Sequence, residues 1–216
     1  MRLIDLVGEV PGTVALGVDE VVENRPFTAV EMTARDQVVL HSILADLRQI
    51  VVEVDEGIRE LTPYQKLVWR VGGLTHRLLL CDTDRVRAHP GLCVVGFFGQ
   101  RREDVEIWPL EEANSEIVAE FIHYPGILAY ASVELTAGHW ANMVLHDDPI
   151  DTSFWRQSRM HAQAVETLSP QHYHNVRIHN GRLTSGIFDR PSIEIYRTKY
   201  FDYSGSSEWR AEREMV

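Results

Sequence analysis

Cysteine is nearly absent from this chain: Cys81 and Cys93 are the two among 216 residues. Two thiols cannot build a disulfide framework. Both sit in apolar stretches, so they read as buried, inert thiols of a reducing compartment. Long apolar runs are missing too, and none approaches the ~20 residues that a membrane helix needs. The opening MRLIDLVGEVPG carries acids early and has no long apolar core, which argues against a secretory signal. The chain therefore reads as cytoplasmic, with no membrane partner. Positive charge is in short supply, with 21 Lys and Arg against 32 Asp and Glu and a formal net charge of −11. Such a chain does not attract polyphosphate or anionic lipid, so nucleic acid is not an expected partner. No glycine-rich phosphate loop argues for a nucleotide enzyme. Internal repeats and low-complexity tracts are absent as well.

What is present is an ordinary hydrophobic fraction of 44% on a chain long enough for a substantial core. Residues 1 to 28 show few periodic signals and predict irregular structure with a short strand or helix. Leu40, Leu44, Leu47, Val51, Val54, Ile58 and Leu61 then step by alternating fours and threes, an apolar seam at helical spacing. Thr33 is the expected N-cap of this helix, with Asp36 in its first turn. Thr62 and Pro63 suggest a second helix start. Leu67, Val71, Leu74 and Leu78 repeat the spacing, although Gly72 and Gly73 each weaken a helix by about 1 kcal/mol. A helical hairpin over about 34–81 is the expectation, and residues 1–88 form an N-terminal helical region.

The period changes afterwards. Strands are expected over 92–100, 127–135, 138–148, 172–181 and 192–203, and helices over 110–124 and 152–168. Thr136, Ala137 and Gly138 make the turn of a hairpin. From 90 to 181 the order is β-α-β-β-α-β, the ferredoxin-like arrangement. Residues 89–216 thus read as an α+β domain with one extra C-terminal strand. The charged run from Arg197 to Glu214 reads as an edge strand that discourages aggregation, with a dimer-clasping arm as the alternative.

The stretches YPGILAYASVEL, GHWANMVLHDD and FWRQSRMH resemble the dimeric α/β-barrel superfamily, in its antibiotic-biosynthesis-monooxygenase-like branch. The resemblance covers roughly residues 90 to 181. It implies a homodimer with two sheets face to face, which would cover Phe97, Tyr130 and Trp140. It also implies that Trp155 and Ser158 occupy the helix motif, that His161 takes its His/Phe position, and that His146 stands where the family has a cavity tryptophan. Strand alternation then puts Trp140, Asn142 and Val144 on the same face as His146. The implied function is a small-molecule enzyme that binds an aromatic or polyketide-like compound and oxygenates it without a cofactor. His146 would be the base and Asn142 the oxyanion donor. Trp140, Val144, Trp155, His161 and Tyr130 would bind the substrate. The alternatives are a haem protein using His161 and a noncatalytic ligand-binding protein. The family's axial haem position falls on Ala164.

Seven of the ten histidines lie between 123 and 179. His172 and His174 are two apart on an expected strand, as a metal pair would be. No carboxylate or cysteine spacing completes a zinc signature, so no metal is expected. Arg177 and His179 share a face of that strand.

Overall fold

The structure is a computed structural model, and it describes residues 2–4, 12–136, 139–148, 155, 157–189 and 191–215. Its strands in chain order are β1 (Arg2–Ile4), β2 (Thr13–Leu16), β3 (Glu20–Val22), β4 (Lys66–Val71), β5 (Leu74–Leu80), β6 (Leu92–Arg101), β7 (Ile127–Glu134), β8 (Trp140–His146), β9 (Tyr173–Leu183), β10 (Ile193–Asp202) and β11 (Trp209–Glu214). Nine of them form one mixed sheet in the order β2-β11-β10-β9-β6-β8-β7-β5-β4. Every neighbouring pair in it is antiparallel except β11 with β2. Outside it, β1 pairs with β3 in parallel.

This architecture replaces the ferredoxin-like barrel that the resemblance implied. A compact β-α-β-β-α-β domain would leave both edges of its four-stranded sheet open. Here β5 pairs along β7 and β10 pairs along β9, so β6 to β9 are the middle of a larger sheet. Nor does one face wait for a partner's sheet, because helices lie on both.

One face is covered by α1 (Val30–Asp55), whose Leu40, Ile43, Leu44, Leu47, Ile50 and Val51 are buried. They meet Leu78, Leu80, Val94, Phe98, Ala141, Met143 and Leu145 in the main core. A buried aliphatic side chain of this kind contributes roughly 1.5–3 kcal/mol. The apolar seam is helical only as far as the helix runs: beyond its end Ile58 is 70% exposed, while Leu61 packs against the core from a loop. The helix starts three residues before Thr33, and its N-cap position, Ala29, makes no side-chain cap hydrogen bond. Asp36 is therefore not a capping acid. It lies inside the helix, buried against the sheet.

The expected second arm of the helical hairpin is instead the β4–β5 hairpin. Gly72 and Gly73 have φ of +58° and +86°, the left-handed pair that a two-residue hairpin turn requires. Spacing by fours and threes around them suits a helix, but the turn chemistry wins. Strands from both sides of residue 88 are thus hydrogen-bonded in one sheet. The C-terminal run is not an edge either: β11 lies between β10 and β2.

The second face carries α3 (Trp108–Glu120) and α4 (Arg159–Gln163), whereas the short α2 (Thr83–Ala88) buries Val86 in the main core with α1. The chain of α4 widens into a π turn over Ala164–Leu168 and closes over Ser169–His172. His172 belongs to that closing turn, not to a strand, and its Nδ1 lies 2.9 Å from the Leu168 carbonyl. The start of the helix expected over 152–168, and two residues of the expected turn after β7, fall outside the described residues.

Candidate functional site

The face opposite α1 holds the alternate residues of β8: Trp140, Asn142, Val144 and His146. Met143 and Leu145 point the other way, into the core under α1. At the Trp140 end, α3 stands over the sheet and leaves a cleft of ≈ 50 Å³. Arg77 of β5, Arg101 of β6, Tyr130 of β7, Trp140 and Asn142 of β8 and Tyr173 of β9 line it from the sheet; Leu110, Glu111 and Asn114 line it from α3.

The polar groups at its base are interlocked. The Tyr130 hydroxyl donates toward Asn114 Oδ1 at 2.8 Å and lies 3.2 Å from Asn142 Oδ1. One phenolic proton cannot serve two acceptors fully. With the Asn142 amide turned over, its NH2 group donates to the phenol oxygen and both contacts are satisfied. Burial pushes the Tyr130 phenol up to about 12, against the opposing pull of Ser132, Arg77 and Asn114. It is a neutral donor at physiological pH. Burial also raises Tyr173, with Tyr130 adding to the rise and Arg101 opposing it.

The cleft's charges are uneven. Arg77 stacks on the Trp140 ring at 4.0 Å from its centroid and reaches Glu111 at 3.5 Å. Arg101 adds a second cation, and its buried Nε has no hydrogen-bond partner among the described residues. Beside it, the Arg101 backbone N–H donates to His139 Nδ1 at 3.0 Å. Burial lowers the His139 imidazole, and the Arg101 charge lowers it further. The lining thus carries two guanidiniums and one carboxylate on a chain that is acidic overall. Gly99 makes room for one wall, since a Cβ there would overlap the Tyr173 ring.

Of the residues singled out from the sequence, Trp140, Asn142 and Tyr130 meet in this cleft. The others do not. Val144 packs with Trp155 in an aromatic cluster that includes Phe121, Ile127 and Tyr124. Trp155 stands edge-on to Phe121 and Tyr124 at 5.1 and 5.0 Å, and His161 lies 5.2 Å from it. His146 is buried at the far end of β8. Four residues of strand separate it from Asn142, about 13 Å at ~3.3 Å per residue. A base at His146 and an oxyanion donor at Asn142 would not reach the same reacting atom. His161, the residue that the haem alternative would use, lies outside the cleft lining. Among the described residues no group of three or more His, Cys, Asp or Glu could hold a metal ion.

Arg77, Arg101, Glu111 and Asn114 were not singled out from the sequence. Arg101 closes the apolar run of β6, a signal in itself. Nothing local brings Arg77 onto Trp140, because β5 reaches β8 only through β7.

A larger groove of ≈ 270 Å³ lies between α1 and the β4–β5 hairpin. Its charged groups already serve one another: Arg59 binds Glu53 at 2.7 Å, and Asp46 lies 2.8 Å from His76 Nδ1. Among the described residues it offers no convergent unsatisfied group, so the smaller cleft is the better candidate. A second buried polar cluster lies under α1. Asp36 takes Arg177 in a two-pronged pair at 2.6 and 3.0 Å and His179 Nε2 at 2.9 Å, while His179 Nδ1 meets Thr198 Oγ1 at 2.9 Å. All four are buried and hydrogen-bonded within the cluster. This cluster joins the helix to the sheet and is closed to ligands.

No family model matches the chain, and no curated protein matches it. The antibiotic-biosynthesis-monooxygenase likeness therefore has no support from family or relatives, and the nine-stranded sheet contradicts its fold. Among the described residues no helix is long and apolar enough to cross a membrane. One solved structure, the protein SO0527 from Shewanella oneidensis, is similar over 43% of this chain and 90% of its own, at 9% identity and a TM-score of 0.38. A likeness that weak carries no argument about fold or function.

Proposed function

We propose that the chain is a small-molecule-binding protein whose cleft takes the carboxylate of a small planar acid. The observation that carries this reading is Arg101, whose buried Nε lacks a hydrogen-bond partner among the described residues at the edge of a cleft floored by a neutral phenol and two amides. A buried guanidinium donor left unmet costs free energy, and a carboxylate meets it with a charge-assisted bond. Tyr130 and the amides supply neutral donors to the second oxygen, and Trp140 and Tyr173 supply flat apolar walls. The arrangement favours binding over turnover. Tyr130 holds its proton to about pH 12, and His146 lies a strand's length away.

Calorimetry with benzoate, a small 2-oxo acid and their neutral amides tests it. The acids should bind and the amides should not. Arg101→Gln should weaken acid binding by about 10- to 150-fold, the equivalent of ~1.5–3 kcal/mol for a hydrogen bond to a charged group. Unchanged affinity in a folded Arg101→Gln protein, or equal binding of acid and amide, would overturn the reading.

A further inference from the structure

One row of side chains crosses five strands on the face opposite α1. Ile127 of β7 stands opposite His146 of β8, His146 opposite Cys93 of β6, Cys93 opposite Arg182 of β9, and Arg182 opposite Glu194 of β10. Directly opposed residues have their Cβ atoms about 4.5–5.5 Å apart on the same face. Cys93 therefore lies between an imidazole and a guanidinium. Unlike the expected inert thiol, it is only half-buried. His146 beside it is 1% exposed. Arg182 pairs with Glu194 at 3.2 Å, but both side chains are more than half exposed, so water screens that pair. The acid that follows His146, Asp147, is ion-paired with Arg85, which offsets its negative charge, and lies 2.8 Å from His89 Nε2. A thiol that is partly accessible and flanked by cationic or protonatable groups is the setting in which cysteine becomes nucleophilic.

The chain contains its own control. Cys81 is buried, and burial followed by the Asp82 charge pushes its thiol up to about 12.

We propose that Cys93 is an oxidation site, converted by hydroperoxides to a sulfenic acid with His146 accepting the thiol proton. The sulfur attacks the near peroxide oxygen, the O–O bond breaks, and the leaving hydroxide takes the proton from the His146 imidazolium to become water. Sulfur is oxidised by two electrons and the peroxide is reduced by the same two. Cys81 cannot resolve the product. Three strand spacings separate β5 from β6, about 14 Å at ~4.8 Å each, against the ~7 Å Cα limit for a disulfide. The sulfenic acid must be returned by a small-molecule thiol.

The test treats the full, native chain with hydrogen peroxide near pH 7, traps sulfenic acid with a diketone and maps it by mass spectrometry. Iodoacetamide serves as a second probe of the thiolate. Cys93 should carry the adduct, Cys81 should not, and Cys93 should react about tenfold faster than glutathione. Arg182→Glu changes an exposed residue and should slow the reaction severalfold, and His146→Gln should slow it further. Because His146 is buried, the pH dependence of the wild-type alkylation rate is an independent measure. A rate already at its plateau near neutrality supports the proposal. A rate still climbing through pH ~8.5, as for an ordinary thiol, overturns it. So does a Cys93 that reacts no faster than glutathione.

Discussion

Asp36 on α1 and Arg177 on β9 are 141 positions apart in the chain and joined by two hydrogen bonds of 2.6 and 3.0 Å in the core. Asp36 also receives His179, so one carboxylate ties the long helix to the middle of the sheet at two points. Burial alone would raise its carboxyl, but the hydrogen bonds and charges of His179 and Arg177 outweigh that and hold it below the ordinary value. Removing it strands a buried guanidinium. Asp36→Ala should cost about 3–5 kcal/mol, read as a lower urea midpoint at neutral pH.

The same cluster makes stability depend on pH. Burial lowers His179 below its usual 6.5, against the pull of Asp36. Below pH ~6.5 the unfolded chain binds a proton that folded His179 refuses, so stability falls as the solution is acidified. Asp36 has a depressed folded value, so its contribution is present above the unfolded value near 3.8 and is lost as pH falls further. Urea melts at stepped pH should show a decline beginning near 6.5 and a second one below about 4. In a folded His179→Gln protein the first decline should shrink. A His179→Gln protein that keeps the whole of it would assign the slope to other groups.

Arg213 has no solvent exposure, and its hydrogen-bond partners are backbone carbonyls and a phenol. It donates to the carbonyls of Gly17, Glu20 and Thr28 and to Tyr200 Oη, the last at 2.6 Å. The guanidinium thereby fastens residues 17–28 onto β11. Arg213→Lys should not restore what Arg213→Ala loses, since an ammonium lacks the planar fork that reaches several acceptors. Both variants should expose residues 13–28 to limited proteolysis while the β6–β9 region stays protected. Equal protease resistance of variant and wild type would refute the fastening role.

Gly99 lets the Tyr173 ring lie against β6. Gly99→Ala should push the ring aside, cost about 1–3 kcal/mol and alter the cleft wall. The check is a thermal melt together with acid affinity. The acid affinity should fall along with the melting temperature, whereas loss of stability without loss of binding would place Tyr173 outside the ligand's reach.

Much of the local structure follows from periodicity and punctuation. Leu40, Leu44, Leu47 and Val51 mark the buried stripe of α1, because a helix under a sheet must turn apolar groups to one side every three or four residues. Alternation along 140–146 is enough to separate Met143 and Leu145 from Trp140, Asn142 and His146. The segment from Leu67 to Leu80 defeats periodicity, since apolar residues at fours and threes fit a helix and the Gly72–Gly73 turn fits a hairpin. Only pairing of β5 with β7 decides between them. The same holds for the barrel that residues 90–181 suggested. Whether four strands close on a partner or continue into a wider sheet depends on what hydrogen-bonds to their edges, and here those partners are β5 and β10. The parallel pairing of β2 with β11 joins the two ends of the chain, and no local signal encodes it. The cleft was legible in Trp140, Asn142 and Tyr130, which lie on strands adjacent in sequence. Arg77, Arg101 and Asn114 join them only in three dimensions, as Asp36 joins Arg177. Side-chain direction is set within a few residues of sequence, whereas strand order and the company a charge keeps are set by which distant segments pack together.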